Sequence, residues 1–237
     1  MPTKFDIEFV AAAEPIRGRV TKFGGQPVWI SKPEWPISRS TKNPMRFIGQ
    51  ICIDPELFGG GPDRMAYLFM TDDGDEPTAC TWDPNDGENA VIIQPGENSA
   101  PTIAQEVGLT LQRQVEGSPV SIFGKLMGRR SRLTLQECEF GVALSRASDL
   151  EFLEEEDLTA LPEDEQERYS ADIGGNKIGG TPSFIQNPEF PFDDSRKLLL
   201  QLDSADVPFS INFGDAGIGH LFLSADAKQG KFLWQCC

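Results

Sequence analysis

The chain has 237 residues, with 37 acidic against 21 basic side chains and a formal net charge of −16 at pH 7. Such a charge is repelled by a nucleic-acid backbone and by an anionic lipid surface, so no nucleic acid and no membrane is expected as a partner. Hydrophobic residues make up 39% of the chain and include 16 phenylalanines and 4 tryptophans, which argues for a packed core and against disorder.

The opening residues Met1 to Asp6 show no basic segment followed by an apolar run, and no apolar stretch approaches the roughly 20 residues that cross a bilayer. A soluble, cytoplasmic protein is therefore expected. Cys52, Cys80, Cys138, Cys236 and Cys237 are odd in number and lack C-x-x-C spacing, which suits free thiols in a reducing compartment.

Residues 22–37 read KFGGQPVWISKPEWPI. Gly24 and Gly25 permit backbone angles closed to other residues, while Pro27, Pro33 and Pro36 stiffen an extended path. Trp29 and Trp35 would pin that path to a sheet, making a rigid strap. Residues 47–54, FIGQICID, and 67–70 are short and nearly continuous in apolar residues, as strands covered on both faces are. Gln50 interrupts the first of them. Phe58-Gly59-Gly60-Gly61-Pro62 lacks a phosphate-loop pattern and reads as a turn. The acid-rich runs 72–76 and 83–89 lack the spacing of a calcium loop and also read as turns, so no metal site is assigned.

In residues 102–115, Ile103, Val107, Leu111 and Val115 recur four apart, which predicts a helix, although Gly108 and Thr110 weaken it. Residues 119–126 and 133–144 read as strands. Residues 149–167 hold ten acidic residues and no basic one. They predict a solvated surface helix and connector broken near Pro162, or else an acidic docking surface made of Glu154, Glu155, Glu156, Asp157, Glu163 and Asp164.

The first pattern then returns. Residues 177–192 read KIGGTPSFIQNPEFPF, and Lys22, Gly24, Gly25, Pro27, Ile30, Pro33, Glu34 and Pro36 recur as Lys177, Gly179, Gly180, Pro182, Ile185, Pro188, Glu189 and Pro191. Residues 198–203, LLLQLD, place Gln201 on Gln50; His220 falls on Tyr67 and Trp234 on Trp82. An internal duplication is expected, with a first β-rich copy in residues 1–98, an insert and acidic connector in 99–171, and a second copy in 172–237, all within one domain.

The paired K-[FI]-G-G-x-P motifs, FIGQICID at Phe47, LLLQLDS at Leu198 and FGDAGIGHLFL at Phe213 resemble the YwqG-like proteins, a bacterial family of unknown function. That resemblance implies an α+β fold, mostly antiparallel β-sheet, built by duplication with a few peripheral helices. It brings no established reaction, cofactor or catalytic residue.

A histidine-based hydrolase has only His220 to draw on, and its tyrosine counterpart suggests a half-buried ring at a sheet margin. The same scarcity argues against zinc or iron. No catalytic residue and no cofactor is assigned. A buried glutamine left unpaired costs about 1–3 kcal/mol, so Gln50 and Gln201 must find partners. Either each latches the strap above it, or both amides line a cleft with Asp215 and His220 for a small polar ligand. Two functions follow. The first is a non-catalytic protein that binds a basic partner, an immunity protein against a toxin being one such role in a bacterial setting; the second is a small-molecule-binding protein or enzyme using a cleft between the copies.

Overall fold

The computed structural model describes residues 1–72, 79–116 and 133–237. Ten strands close into an antiparallel barrel. In spatial order they are β1 (Thr3–Ala11), β10 (Glu139–Ser148), β2 (Lys22–Gly24), β4 (Arg46–Ile53), β5 (Arg64–Met70), β6 (Asn89–Gln94), β14 (Gly230–Gln235), β13 (Ile218–Leu223), β12 (Lys197–Asp203) and β11 (Lys177–Gly179). The ring is completed where β11 pairs back onto β1. Two small sheets lie outside it, β3 (Trp35–Pro36) with β7 (Thr102–Ile103) and β8 (Gln112–Glu116) with β9 (Leu133–Glu137). Among the described residues the helices are short: α1 (Pro55–Phe58), α2 (Glu155–Thr159) and α3 (Glu163–Asp172). No helix among the described residues is long and apolar enough to cross a membrane.

The apolar runs of β4, β5, β12 and β13 are strands buried on both sides. Alternate residues such as Ile51, Leu68, Leu202 and Leu221 join one large cluster with Phe23, Phe209 and Phe213. The residues between them face the other way. Phe47, Tyr67 and Phe69 pack under Trp29 and Trp35, while Leu198, Phe222 and Leu233 pack under Phe184, Phe190 and Phe192. Each strap thus roofs the outer face of its own strands, and two layers of side chains sandwich a continuous apolar strand.

The ring contacts under the two roofs run in parallel. Trp29 lies 4.6 Å from Tyr67 and stacks on Phe69 at 6.1 Å; Phe184 lies 5.0 Å from His220 and stacks on Phe222 at 6.3 Å. Trp35 meets Phe69 edge-on at 5.1 Å, and Phe190 meets Phe222 edge-on at 5.6 Å. Both ladders also slip register two residues before the glutamine, between Phe47 and Gly49 and between Leu198 and Leu200.

Several expectations are corrected. No helix forms over 102–115: Leu111 is buried in the barrel core while Val107 is 63% exposed, so the four-residue spacing does not mark one face. The Gly108 amide and carbonyl are instead both held by the Gln26 side chain at 2.9 Å, and Phe47 donates its amide to Leu109 O, which keeps this stretch extended. Trp82 lies in a turn, 49% exposed and edge-on to Trp234 at 6.0 Å; it is β6, ending at Gln94, that occupies the place of β14. The stretch 133–144 is two strands parted at Cys138. Although β10 belongs to the segment set apart as an insert, it is a stave of the barrel, paired with β1 and β2. The acidic run at 73–76 and the strand expected at 119–126 fall outside the described residues.

Candidate functional site

Each strap starts from a buried lysine. Lys22 donates to Glu139 Oε1 at 2.5 Å and to Ile16 O at 3.0 Å. Lys177 donates to Asp149 Oδ2 at 2.5 Å, to Thr181 O at 2.6 Å and to Ile173 O, and Lys4 Nζ pairs with Asp149 Oδ1 at 2.8 Å. The two carboxylates stand at opposite ends of β10. Burial alone would raise the Asp149 carboxyl, but Lys177, Lys4 and the Thr181 amide outweigh it and hold it below the usual range. Burial pulls the Lys177 ammonium down to about 8 against the opposing pull of Asp149.

The second glycine of each pair makes room for these carboxylates. Gly25 has φ +63°, and a Cβ there would sit 2.3 Å from the Glu139 carboxyl carbon; Gly180 has φ +79°, and a Cβ would sit 2.2 Å from Asp149 Oδ2. No other residue fits either corner.

The glutamines hold the straps above them. Gln50 Oε1 accepts from Val28 N at 2.8 Å while Nε2 donates to Val20 O at 2.8 Å. Gln201 Oε1 accepts from Ser183 N at 2.8 Å while Nε2 donates to Gly175 O at 3.0 Å. Farther along, Gln94 accepts from Ser31 N and donates to Lys32 O; Gln235 accepts from Gln186 N and donates to Asn187 O. The sequence reading missed this second pair, although each glutamine closes the third strand after its strap. Setting Trp82 against Trp234 had put that strand out of register.

The four residues considered for a ligand cleft are not brought together. Gln50 and Gln201 are fully buried under separate straps, with both ends of each amide used. Asp215 is exposed on a loop where its carbonyl meets the Cys237 amide. His220 is not at a sheet margin but buried in the middle of β13, with Nε2 3.0 Å from Ser183 O.

Glu154, Glu155, Glu156, Asp157, Glu163 and Asp164 are all exposed on and around α2 and α3. Glu154 pairs with Arg196 at 2.6 Å, Asp164 pairs with Arg168, and the other four form no ion pair among the described residues. Asp149, the first acidic residue of the run, is the exception to its solvation. In the 83–89 run, Glu88 is likewise buried: Ser38 Oγ, Thr71 Oγ1 and Ser40 N donate to it at 2.6–2.7 Å, and although burial works against the charge these donors hold its carboxyl below the ordinary range.

Among the clefts that flank the straps, two bear on the residues above. One of about 290 Å³ lies between α2, α3 and the second strap, floored by Phe152, Leu158, Ile173 and Phe184. The other, about 670 Å³, opens beside Lys22 and Glu139. Cys138 lines it, and burial pushes that thiol up to about 11, so it stays protonated at neutral pH.

The family model described as Domain of unknown function (DUF1963) matches residues 21–234. The chain belongs to this family. The DUF1963 match takes in both straps, all four glutamines except Gln235, and both strap lysines, and it leaves β1 outside. A search of curated proteins found none that matches.

Proposed function

We propose that this chain is a non-catalytic binding protein that engages a basic protein on the face formed by α2 and α3. The observation that carries this reading is the distribution of charge around the smaller cleft. Nine of the ten carboxylates in residues 149–167 are exposed, and the segment that carries them also lines a cleft with an apolar floor, at whose edge Glu155 stands. A partner segment with one apolar anchor flanked by lysine or arginine fits that surface, the anchor supplying buried area and the carboxylates steering the approach. Neutralisation of a basic toxin is one role of this kind. Five free thiols support a reducing, cytoplasmic setting for it.

We also infer that the two halves arose by duplication of one unit, in keeping with the resemblance to YwqG-like proteins. The paired lysine anchors, glutamine bonds, register slips and ring contacts support that inference.

The binding reading is tested with a labelled peptide in which lysines and arginines flank one phenylalanine. Affinity should fall about tenfold or more between low and physiological-to-high salt, and again in a Glu155→Lys, Glu156→Lys, Asp157→Lys variant. Reversal of Glu14 and Glu106, exposed beside the first strap, serves as the control. Equal loss in both variants would mean attraction to net charge alone and would overturn the assigned face.

A further inference from the structure

The two lysine anchors are built alike and finished differently. At the second, Lys177 spends its protons on Asp149, Ile173 O and Thr181 O, and Lys4 takes the other oxygen of Asp149. Lysine and carboxylate side chains are both 0% exposed. At the first, Lys22 is 1% exposed yet among the described residues reaches two acceptors only, Glu139 Oε1 and Ile16 O. Among the described residues Glu139 Oε2 receives no hydrogen bond. Where the second anchor is sealed by a lysine and a carbonyl, the first faces the cleft of about 670 Å³.

We propose that this cleft binds a small zwitterion of the amino-acid or short-peptide class, carrying a primary ammonium beside a carbonyl or carboxylate oxygen. The sealed anchor supplies the template. The ligand's ammonium takes Glu139 Oε2 as Lys4 takes Asp149 Oδ1, and its oxygen accepts the remaining proton of Lys22 as Thr181 O accepts from Lys177. Arg17 and Glu137 also line the cleft, so its walls carry two cations and two carboxylates and suit a ligand of no net charge. Val28 and Val107 form an apolar wall for the ligand's side chain. Because Lys22 is buried, its bond to the ligand forms with little competition from water and so contributes more than an exposed bond would. The site is distinct from the α2–α3 face and does not depend on it.

Titration calorimetry of the full chain with leucine, glycyl-leucine, isopentylamine and 4-methylpentanoate tests this. Saturable binding of leucine or glycyl-leucine is expected, with the preferred one distinguishing a free amino acid from a peptide terminus. Removing either the carboxylate or the ammonium should weaken binding about tenfold or more. Glu139→Gln should lose it similarly, and Val107→Trp, which narrows the mouth from an exposed position without touching the anchor, should do so even if Glu139→Gln fails to fold. The proposal is overturned by no saturable binding of either zwitterion up to about 10 mM, by isopentylamine or 4-methylpentanoate binding as well as leucine, or by unchanged affinity in Val107→Trp.

Discussion

Tyr67 bridges the first strap through one oxygen, donating to Val28 O at 2.8 Å and accepting from Ile30 N at 3.0 Å, whereas among the described residues His220 reaches only Ser183 O and its buried Nδ1 has no partner. Burial drives the imidazole down to about 3 from its ordinary 6.5, with the Ser183 carbonyl opposing in part. The folded chain therefore holds His220 neutral while the unfolded chain takes up a proton below pH 6.5. Between these two values the unfolded state binds the extra proton, so stability is full above about 6.5 and is lost as the pH falls, by at most ~1.4 kcal/mol per unit. Asp149 adds its own loss only at lower pH, near and below the ordinary carboxylate value, because its pKa is depressed in the fold. Urea midpoints measured at pH 7.5, 5.5 and 4.5 should fall more steeply for the wild type than for His220→Tyr, whose phenol can reproduce the Tyr67 bridge. Parallel slopes would show that His220 is not the titrating group. The alignment of His220 with Tyr67 points to a half-buried ring at a sheet margin. It could not show complete burial, because the covering strap comes from a segment 37 residues upstream.

A strap is held along its length by one anchor lysine, two glutamines and an aromatic pair, so releasing one point should loosen a part of it and leave the barrel standing. Gln50→Leu keeps the volume but removes the fully buried amide that pairs with the Val28 N–H and the Val20 carbonyl, a loss of about 1–3 kcal/mol. Hydrogen exchange at Val28 should then accelerate about tenfold or more, with Ser183 unaffected, and Gln201→Leu should give the mirror result. Uniform acceleration across both straps would mean that the amides support the whole barrel rather than their own roof. The straps were legible in sequence because a rigid loop needs glycine, proline and large rings at set places, and that pattern occurs twice. The helix expected over 102–115 was not, because four-residue spacing is blind to what an extended chain passes over: Leu111 sinks into the barrel core, and the intervening Gly108 is gripped by Gln26, which is distant in sequence. The site was legible as residues and not as geometry. Gln50 and Gln201 were singled out correctly as needing partners, while the Lys22–Glu139 and Lys177–Asp149 pairs span 117 and 28 residues and leave no local signal.

Each half of the molecule supplies four consecutive staves, β2–β4–β5–β6 and β11–β12–β13–β14, which meet directly where Gly230 on β14 pairs with Val91 on β6. On the opposite side the gap is filled by β10 and β1, and β1 lies outside the matched family segment. Closure thus depends on a strand near the start of the chain that pairs with β10 from Thr3 to Ala11 and with β11 from Lys4 to Asp6. Its side chains matter as well. Phe5, Ile7 and Phe9 pack on the barrel core, Phe9 meets Phe23 at 5.3 Å and Phe209 at 5.5 Å, and Lys4 completes the Asp149 anchor. A chain lacking residues 1–13 should therefore keep two paired half-barrels but expose β10 and β11 as adjacent open edges, which invite pairing with other chains. Light scattering should show association, and calorimetry a lower and broader unfolding transition than that of the intact protein. A synthetic peptide of residues 1–13 added in excess should restore the monomer and raise the transition in a concentration-dependent way, because it binds the folded state and not the unfolded one. If the shortened chain is instead monomeric, with an unchanged midpoint, then β6 and β14 alone hold the halves together and the barrel does not need its closing strand.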